Sequence, residues 1–337
     1  MNTTEIFTSE LPVGEKLSIK RTRFEPLEKS KNKTKRISIV SGIHGDELEG
    51  QLVIYLLADW LNKNIDKLIG IVDIYPAVNS LGVDTITRGF PLYEVDLNRT
   101  FPGSVNEFLP GQVVHALAND VKGSDIAIDI HSSNIFLREI PQIRINKEYS
   151  KSTLPLAKEL NCDFIWIHDA VTVLESTFSH TMNSMGTKTL VVEMGVGMRL
   201  TKEYGFQLLI GILNLMKKEG IIICDEDFIT REPFNSEVGE VYYLNAPKSG
   251  LFVPALDHCA IIKRDEKIGD IVDPLTGSIH ATLFAPNNGI LFTLREYPVV
   301  YEGSLIARIF GDNIGKNWNT KNRITKSSTF GSRRLFI

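Results

Sequence analysis

Four short segments carry side chains able to hold a metal ion, move a proton or grip a carboxylate. The first is Gly42-Ile43-His44-Gly45-Asp46-Glu47-Leu48-Glu49-Gly50, where an imidazole and a carboxylate stand three residues apart across a glycine-containing turn. That spacing lets both side chains converge on one point, although acidic residues at a helix start are also favourable dipole chemistry in their own right. The second, Asp129-Ile130-His131-Ser132-Ser133, adds another imidazole. Two His and one Glu form the ligand set of catalytic zinc sites, which leave a fourth position for water. Asp129 lies two residues before His131, on the same side of an extended strand. It is either an orienting partner for that imidazole or an ordinary buried carboxylate. The third segment, Leu190-Val191-Val192-Glu193-Met194-Gly195, ends an apolar run in a carboxylate, which is costly without a partner or a task. Beside a metal-bound water Glu193 can take the proton and pass it to a leaving amine; away from one it is a salt-bridged strand-end residue. In the fourth, Asp96-Leu97-Asn98-Arg99-Thr100-Phe101-Pro102-Gly103, the Asn98 amide and Arg99 guanidinium are suited to clamping a carboxylate. Arg88 polarises the scissile carbonyl, joins the clamp, or makes a surface salt bridge.

These residues need elements to bring them together. Arg36–Gly42 reads as a buried strand, and Asp46 to Leu61 has helical periodicity, with Leu48, Leu52, Ile54, Tyr55, Leu56 and Trp60 on a broad face. Further apolar strands are expected in IGIVDIYP up to Pro76, at Asp125–Ile130, near Phe164–Ile167 and at Thr189–Glu193, with a long apolar helix near Glu203–Lys218. His44 and His131 then both follow strand ends, and in open α/β sheets sites form at the carboxyl ends of strands. Ser132 and Ser133 are read as caps of a following turn. Buried strands alternating with helices define an α/β fold around a central mixed sheet flanked by helices. After about residue 235, glycine and proline punctuate short strand-like pieces (SGLFVPAL, KIGDIVDP, TGSIHATL, NNGILFTL, GSLIARIF) with no helical period. We expect residues 1–235 to form a catalytic domain, 236–312 a small all-β domain and 313–337 a polar tail. The basic run KSKNKTKR before the first apolar strand reads as a solvated turn.

Composition narrows the function classes. The net charge is 37 − 41 = −4, so the basic footprint of a nucleic-acid binder is missing. Cys162, Cys224 and Cys259 are scattered, odd in number and without CxxC spacing, which argues against a disulfide framework or a thiolate zinc knuckle. No basic n-region precedes an apolar stretch at the N-terminus, and the apolar run near Leu208–Met216 falls well short of the ~20 residues that span a bilayer. The expectation is a cytoplasmic protein with no membrane partner, whose acidic surface allows a homo-oligomer. There is no GxSxG elbow and no GxxxxGK[ST] loop. His115, His168, His180, His258 and His280 fall in no ligand spacing.

Taken together and in this order, GIHGDELEG, TRGF…DLNRTFPG, DIHSS and VVEMG resemble the succinylglutamate desuccinylase/aspartoacylase family of the zinc carboxypeptidase superfamily, over roughly residues 36–220. The resemblance implies one Zn2+ per chain on His44, Glu47 and His131, a catalytic Glu193, and substrate contacts from Asn98, Arg99 and Arg88. Residues that select the acyl group have no match to carry over. The C-terminal β segment resembles the biotinyl/lipoyl-like barrel-sandwich of some members. Lys263, in Ile-Ile-Lys-Arg, lacks the setting of a modifiable carrier lysine. The implied activity is hydrolysis of the amide of an N-acyl amino acid or related small carboxylate. A metallocarboxypeptidase or peptidoglycan-peptide amidase would use the same site chemistry. A non-catalytic metal binder, or a carrier built on the C-terminal sandwich, is the reading from outside enzymology.

Overall fold

The computed structural model of the chain describes residues 1–28, 34–169 and 175–311. Most of the KSKNKTKR run and the whole tail, residues 313–337, lie outside them. The chain divides into two compact units, one of residues 1–134 and 141–233 and the other of residues 135–140 together with the chain from Phe234 onward.

In the first unit, strands β1 (Asn2–Glu10), β2 (Lys16–Phe24), β3 (Arg36–Ser41), β4 (Ile71–Tyr75), β5 (Ile126–Ser132), β6 (Leu137–Asn146), β7 (Phe164–His168) and β8 (Lys188–Gly195) alternate with helices α1 (Glu49–Lys63), α2 (Ser80–Thr85), α3 (Leu109–Val121), α4 (Ser150–Ala157), α5 (Phe178–Ser184) and α6 (Lys202–Lys218). The strands lie in the order β1-β2-β4-β3-β5-β8-β6, and β7 pairs with β6. β4, β3, β5 and β8 are mutually parallel, whereas β1, β2 and β4 pair antiparallel, so the sheet is mixed.

The period of two along each parallel strand divides its side chains between two cores. Ile39, Ile128, Ile130, Leu190, Val192 and Met194 pack with α1 and α6. Val40 and Ala127 pack on the opposite face with Val113 and Leu117 of α3 and with Phe178 of α5. Asp129, His131 and Glu193 alternate onto this second face, at the carboxyl ends of their strands.

Helix α1 starts at Glu49, three residues later than its periodicity suggests, because His44 to Glu47 are held in a loop that turns both side chains inward. Its buried stripe is Val53, Ile54, Leu56, Leu57, Trp60 and Leu61, while Tyr55 is exposed, a correction to the broader face read from sequence. Each fully buried aliphatic here is worth about 1.5–3 kcal/mol. The serines after His131 also differ from expectation. Ser132 Oγ accepts the Glu49 backbone N–H at 3.2 Å, so it serves the start of α1 and not a following turn.

Among the described residues, the second unit is built of strands and short turns. They are β9 (Phe234–Asn235), β10 (Glu240–Asn245), β11 (Gly250–Pro254), β12 (Ile261–Ile262), β13 (Lys267–Asp273), β14 (Ser278–Phe284), β15 (Gly289–Arg295), β16 (Val299–Val300) and β17 (Leu305–Gly311). β10, β17 and β15 pair in that order, and residues 137–139 of β6, which belong to this second unit, pair with β15, Glu139 opposite Thr293. β14-β13-β11-β16 form a separate four-stranded sheet. Phe252, Ile268, Ile271, Leu291, Ile306 and Ile309 fill the core of this unit. Glu139, buried there, takes hydrogen bonds from Arg308 and Thr293. Cys162 and Cys224 are buried and Cys259 is half-buried, and no described helix is long and apolar enough to cross a membrane.

Candidate metal centre

Two glycines fix the first segment of the site. Gly42 ends β3 with φ +68°, and a Cβ there would lie 2.9 Å from Ala77 Cα. Gly45 is pressed against α2 so closely that a Cβ would stand 2.0 Å from the Gly82 carbonyl carbon. The loop is tied further by Gly45 N–H to Thr87 O (3.1 Å) and Met198 N–H to Asp46 O (2.7 Å). His44 and Glu47 are therefore held by backbone packing, and both are 3% exposed.

The second imidazole arrives on β5, where Asp129 and His131 share a face. β5 and β8 pair in a register that sets His131 opposite Glu193. Parallel partners point the same way, so the candidate base stands beside a candidate ligand.

His44, Glu47 and His131 each offer a ligand atom, and these atoms lie within 4.8 Å of one another. They are the one such group of three or more among the described residues. In both imidazoles Nε2 is already engaged: His44 Nε2 lies 2.9 Å from Asp96 Oδ1, and His131 Nε2 lies 2.9 Å from Asp129 Oδ2. Nδ1 is thus the inward nitrogen in each. His131 Nδ1 is 2.9 Å from Glu47 Oε2, which also accepts Ser132 N–H at 3.1 Å. His44 Nδ1 lies 2.9 Å from Glu47 Oε1, yet it is buried and out of line for a hydrogen bond. A buried nitrogen 2.9 Å from a carboxylate oxygen with no hydrogen bond between them, opposite a second imidazole with its ring 5.0 Å away, fits a cation held among the three side chains. Metal-bound histidines characteristically have the other ring nitrogen held by a carboxylate or carbonyl.

Electrostatics point the same way. Burial disfavours the charged form of His44, but Glu47 and Asp96 outweigh it and raise its pKa. His131 is likewise penalised by burial and is held well above the usual imidazole value by Asp129 and Glu47. Burial pushes the Glu47 carboxyl up, and the two imidazoles overcome that and hold it far below the usual range. Asp96 follows the same pattern, with burial overcome by His44 and Arg88. The cluster favours positive charge at its centre.

The remaining predicted residues surround this group. Arg88 Nη1 donates to Glu47 Oε1 at 2.6 Å, and its Nη2 lies 3.4 Å from Asp96 Oδ2. Burial opposes its charge, and Glu47, Asp96, Asp46 and Glu193 outweigh that and raise its pKa. The chain just after it is steadied by Asn79, whose Nδ2 donates to Gly89 O at 3.0 Å. Asn98 is buried, with Oδ1 accepting Phe178 N–H at 2.9 Å and Nδ2 3.4 Å from His131 Nε2. Arg99 donates to the Asn98 carbonyl at 2.7 Å and is exposed. Glu193 lies 3.2 Å from Arg144 Nη1, with its side chain 16% exposed. His115 instead pairs with Asn119.

Sequence reasoning gave no role to Asp96 or Arg144. Asp96 carried a signal, because Asp-x-Asn is a local capping pattern, and its Oδ1 indeed accepts Asn98 N–H at 2.8 Å. The same oxygen's reach to His44, 52 residues away, has no counterpart in local sequence. Arg144 sits on β6, whose alternation in LREIPQIRIN was readable but whose place beside β8 was not.

The fold is a mixed α/β sheet that brings two imidazoles and a carboxylate together at its strand ends. Residues 33–218 match the Succinylglutamate desuccinylase/Aspartoacylase catalytic domain. The chain belongs to that family, which is one of deacylases. Similar folds occur in a succinylglutamate desuccinylase/aspartoacylase from Rhodobacter sphaeroides, at TM-score 0.75 and 22% identity over 90% of this chain and 93% of that one. The product-bound ectoine utilization protein EutE (DoeB) from Ruegeria pomeroyi aligns at TM-score 0.76 and 17% identity over 90% and 93% of the two chains. A putative family protein from Shewanella amazonensis gives TM-score 0.72 and 17% identity over 93% and 99%. No curated protein matches this chain.

Proposed function

We propose that the chain is a zinc-dependent deacylase that cleaves the amide bond of an N-acyl amino acid or related small carboxylate. The observation that carries the reading is the meeting of His44 Nδ1, His131 Nδ1 and Glu47, with Asp96 and Asp129 holding the outer nitrogens. Bound by these residues, one zinc ion per chain supplies a polarised carbonyl and a water whose pKa falls to about 7.

The protein's own residues do the rest. Glu193, beside His131 on the same face, accepts the proton of the attacking water and returns it to the leaving amine. The exposed Arg99 guanidinium takes the substrate carboxylate. Asn98, fixed through Oδ1 by the Phe178 N–H, offers its Nδ2 hydrogens to the same carboxylate. Arg88 stabilises negative charge developing on the carbonyl oxygen or adds to the clamp. Asp129 and Asp96 keep the imidazoles in the tautomer that presents Nδ1.

In the same reading, residues 1–235 are the catalytic domain, 236–312 a barrel-sandwich module of lipoyl-like type and 313–337 a tail. Three scattered cysteines without CxxC spacing suit a reducing compartment, the cytoplasm. The test is amine release by the zinc-loaded protein from a panel of N-acetyl and N-succinyl amino acids, with dipeptides alongside. Glu193→Gln retains zinc and loses about 10²–10⁴-fold in kcat. Turnover of dipeptides alone makes the chain a carboxypeptidase instead. Normal turnover by Glu193→Gln removes that residue from the mechanism.

A further inference from the structure

The row of side chains beginning at His131 continues beyond Glu193. β6 lies beside β8. Ile143 and Ile145 of β6 pack in the same core as Val192 and Met194, so Arg144 between them alternates onto the face that carries Glu193. There its Nη1 approaches Glu193 Oε1 at 3.2 Å. Arg144 is in register with Trp166 of β7, and the guanidinium carbon stands 5.6 Å from the indole centroid, within cation–π range. Trp166 is flanked by Phe164 and His168, at ring separations of 6.3 and 6.5 Å. Across β5, β8, β6 and β7 the order is therefore ligand, base, cation and aromatic brace.

A general base must be ionised before reaction and must hold its carboxylate in one orientation. A guanidinium cannot lose its charge, and stacking on a ring fixes its plane. We propose that Arg144 is a positioning residue for Glu193: it fixes the orientation of that carboxylate, with Trp166 bracing the guanidinium. This rests on Glu193 being the base, as proposed above, and assigns Arg144 no contact with substrate.

The experiment compares Arg144→Met, Arg144→Lys and Trp166→Leu, zinc-loaded, on the panel of N-acetyl and N-succinyl amino acids, with zinc content measured on each. Misorienting the base lowers kcat of Arg144→Met by about 10–100-fold while KM stays within about twofold. Zinc content is unchanged. Lysine restores part of kcat, since it returns the charge without the fork, and Trp166→Leu shows a smaller loss of kcat in the same direction. In the Glu193→Gln background, followed in single turnovers, Arg144→Met causes no further loss, because its effect runs through the missing carboxylate. An unchanged kcat, a change confined to KM, or an additive loss in that background overturns the proposal. If Arg144→Met does not fold, reduced kcat in Arg144→Lys and Trp166→Leu supports it and wild-type kcat in both overturns it. A wild type that releases no amine from the panel removes the deacylase reading and this inference with it. An active wild type with indifferent Arg144 variants removes the inference alone.

Discussion

Replacing Asp96 with Asn keeps the shape of the side chain and takes away its charge. Oδ1 can still accept from His44 Nε2 and from Asn98 N–H, the contacts now at 2.9 and 2.8 Å. What is lost is the negative charge behind His44, and with it part of the basicity of Nδ1. Removing such a partner typically weakens metal binding about 10–100-fold, or about 1.4–2.8 kcal/mol. Exposure decides where in that range each carboxylate falls. The Asp96 side chain is 27% exposed and solvent screens part of its field, whereas that of Asp129, behind His131, is 1% exposed. Asp96→Asn should therefore weaken zinc binding about tenfold, and Asp129→Asn closer to about 100-fold. Competition against a chromophoric chelator at neutral pH measures both, and urea unfolding of the metal-free variants verifies that the fold survives. Affinities within twofold of wild type, or a larger loss for Asp96→Asn than for Asp129→Asn, would refute the argument.

Two further outcomes follow from the site. Arg99→Ala should raise KM for carboxylate-bearing substrates by about tenfold or more, with little change in unfolding free energy, because the lost interactions are charge-assisted bonds at an exposed position; steady-state kinetics beside urea titration checks this, and unchanged kinetics would remove the clamp. The metal-free protein should also lose stability as pH rises. His44 and His131 have raised pKa values in the folded state, so their contribution is complete below the unfolded imidazole value of about 6.5 and disappears as pH climbs through the folded values. Glu47 and Asp96 are lowered, so their contribution is present above the ordinary carboxylate range and fails as pH falls well below it. Thermal melts in chelator should show Tm highest at about pH 5–6 and declining towards pH 8, with zinc abolishing the decline; a rise in Tm over that interval would contradict the assignment.

Much of the site was legible because the chemistry is carried by short runs at strand ends. The strand before His44 and that ending at His131 are rich in isoleucine and valine and buried on both faces, as parallel strands inside an α/β sheet are. The helix at Lys202–Lys218 has the apolar content of an element packed beside α1 in one core, and its sequence pattern places it to within one residue. The glycine-punctuated pieces after residue 235 each became a strand. Elsewhere local pattern was insufficient. The start of α1 was misjudged because residues 44–47 carry helix-compatible side chains while Gly42 and Gly45, pressed against Ala77 and Gly82, hold the backbone in a loop. β1 is mostly exposed and pairs with β2, which in turn pairs with β4, so the hairpin is set by that pairing more than by an apolar pattern of its own. The partners of the candidate site, Asp96 on His44 and Arg144 on Glu193, meet across 52 and 49 residues, and only the strand order brings them together.

The most direct measurement is the zinc content of purified wild-type protein and of His131→Ala after reconstitution and desalting. The account predicts about one zinc per wild-type chain and little or none in the variant, with both proteins folded by circular dichroism. Wild-type protein that retains no zinc, or a His131→Ala variant that binds as much as wild type, would contradict the metal centre from which the proposed function is drawn.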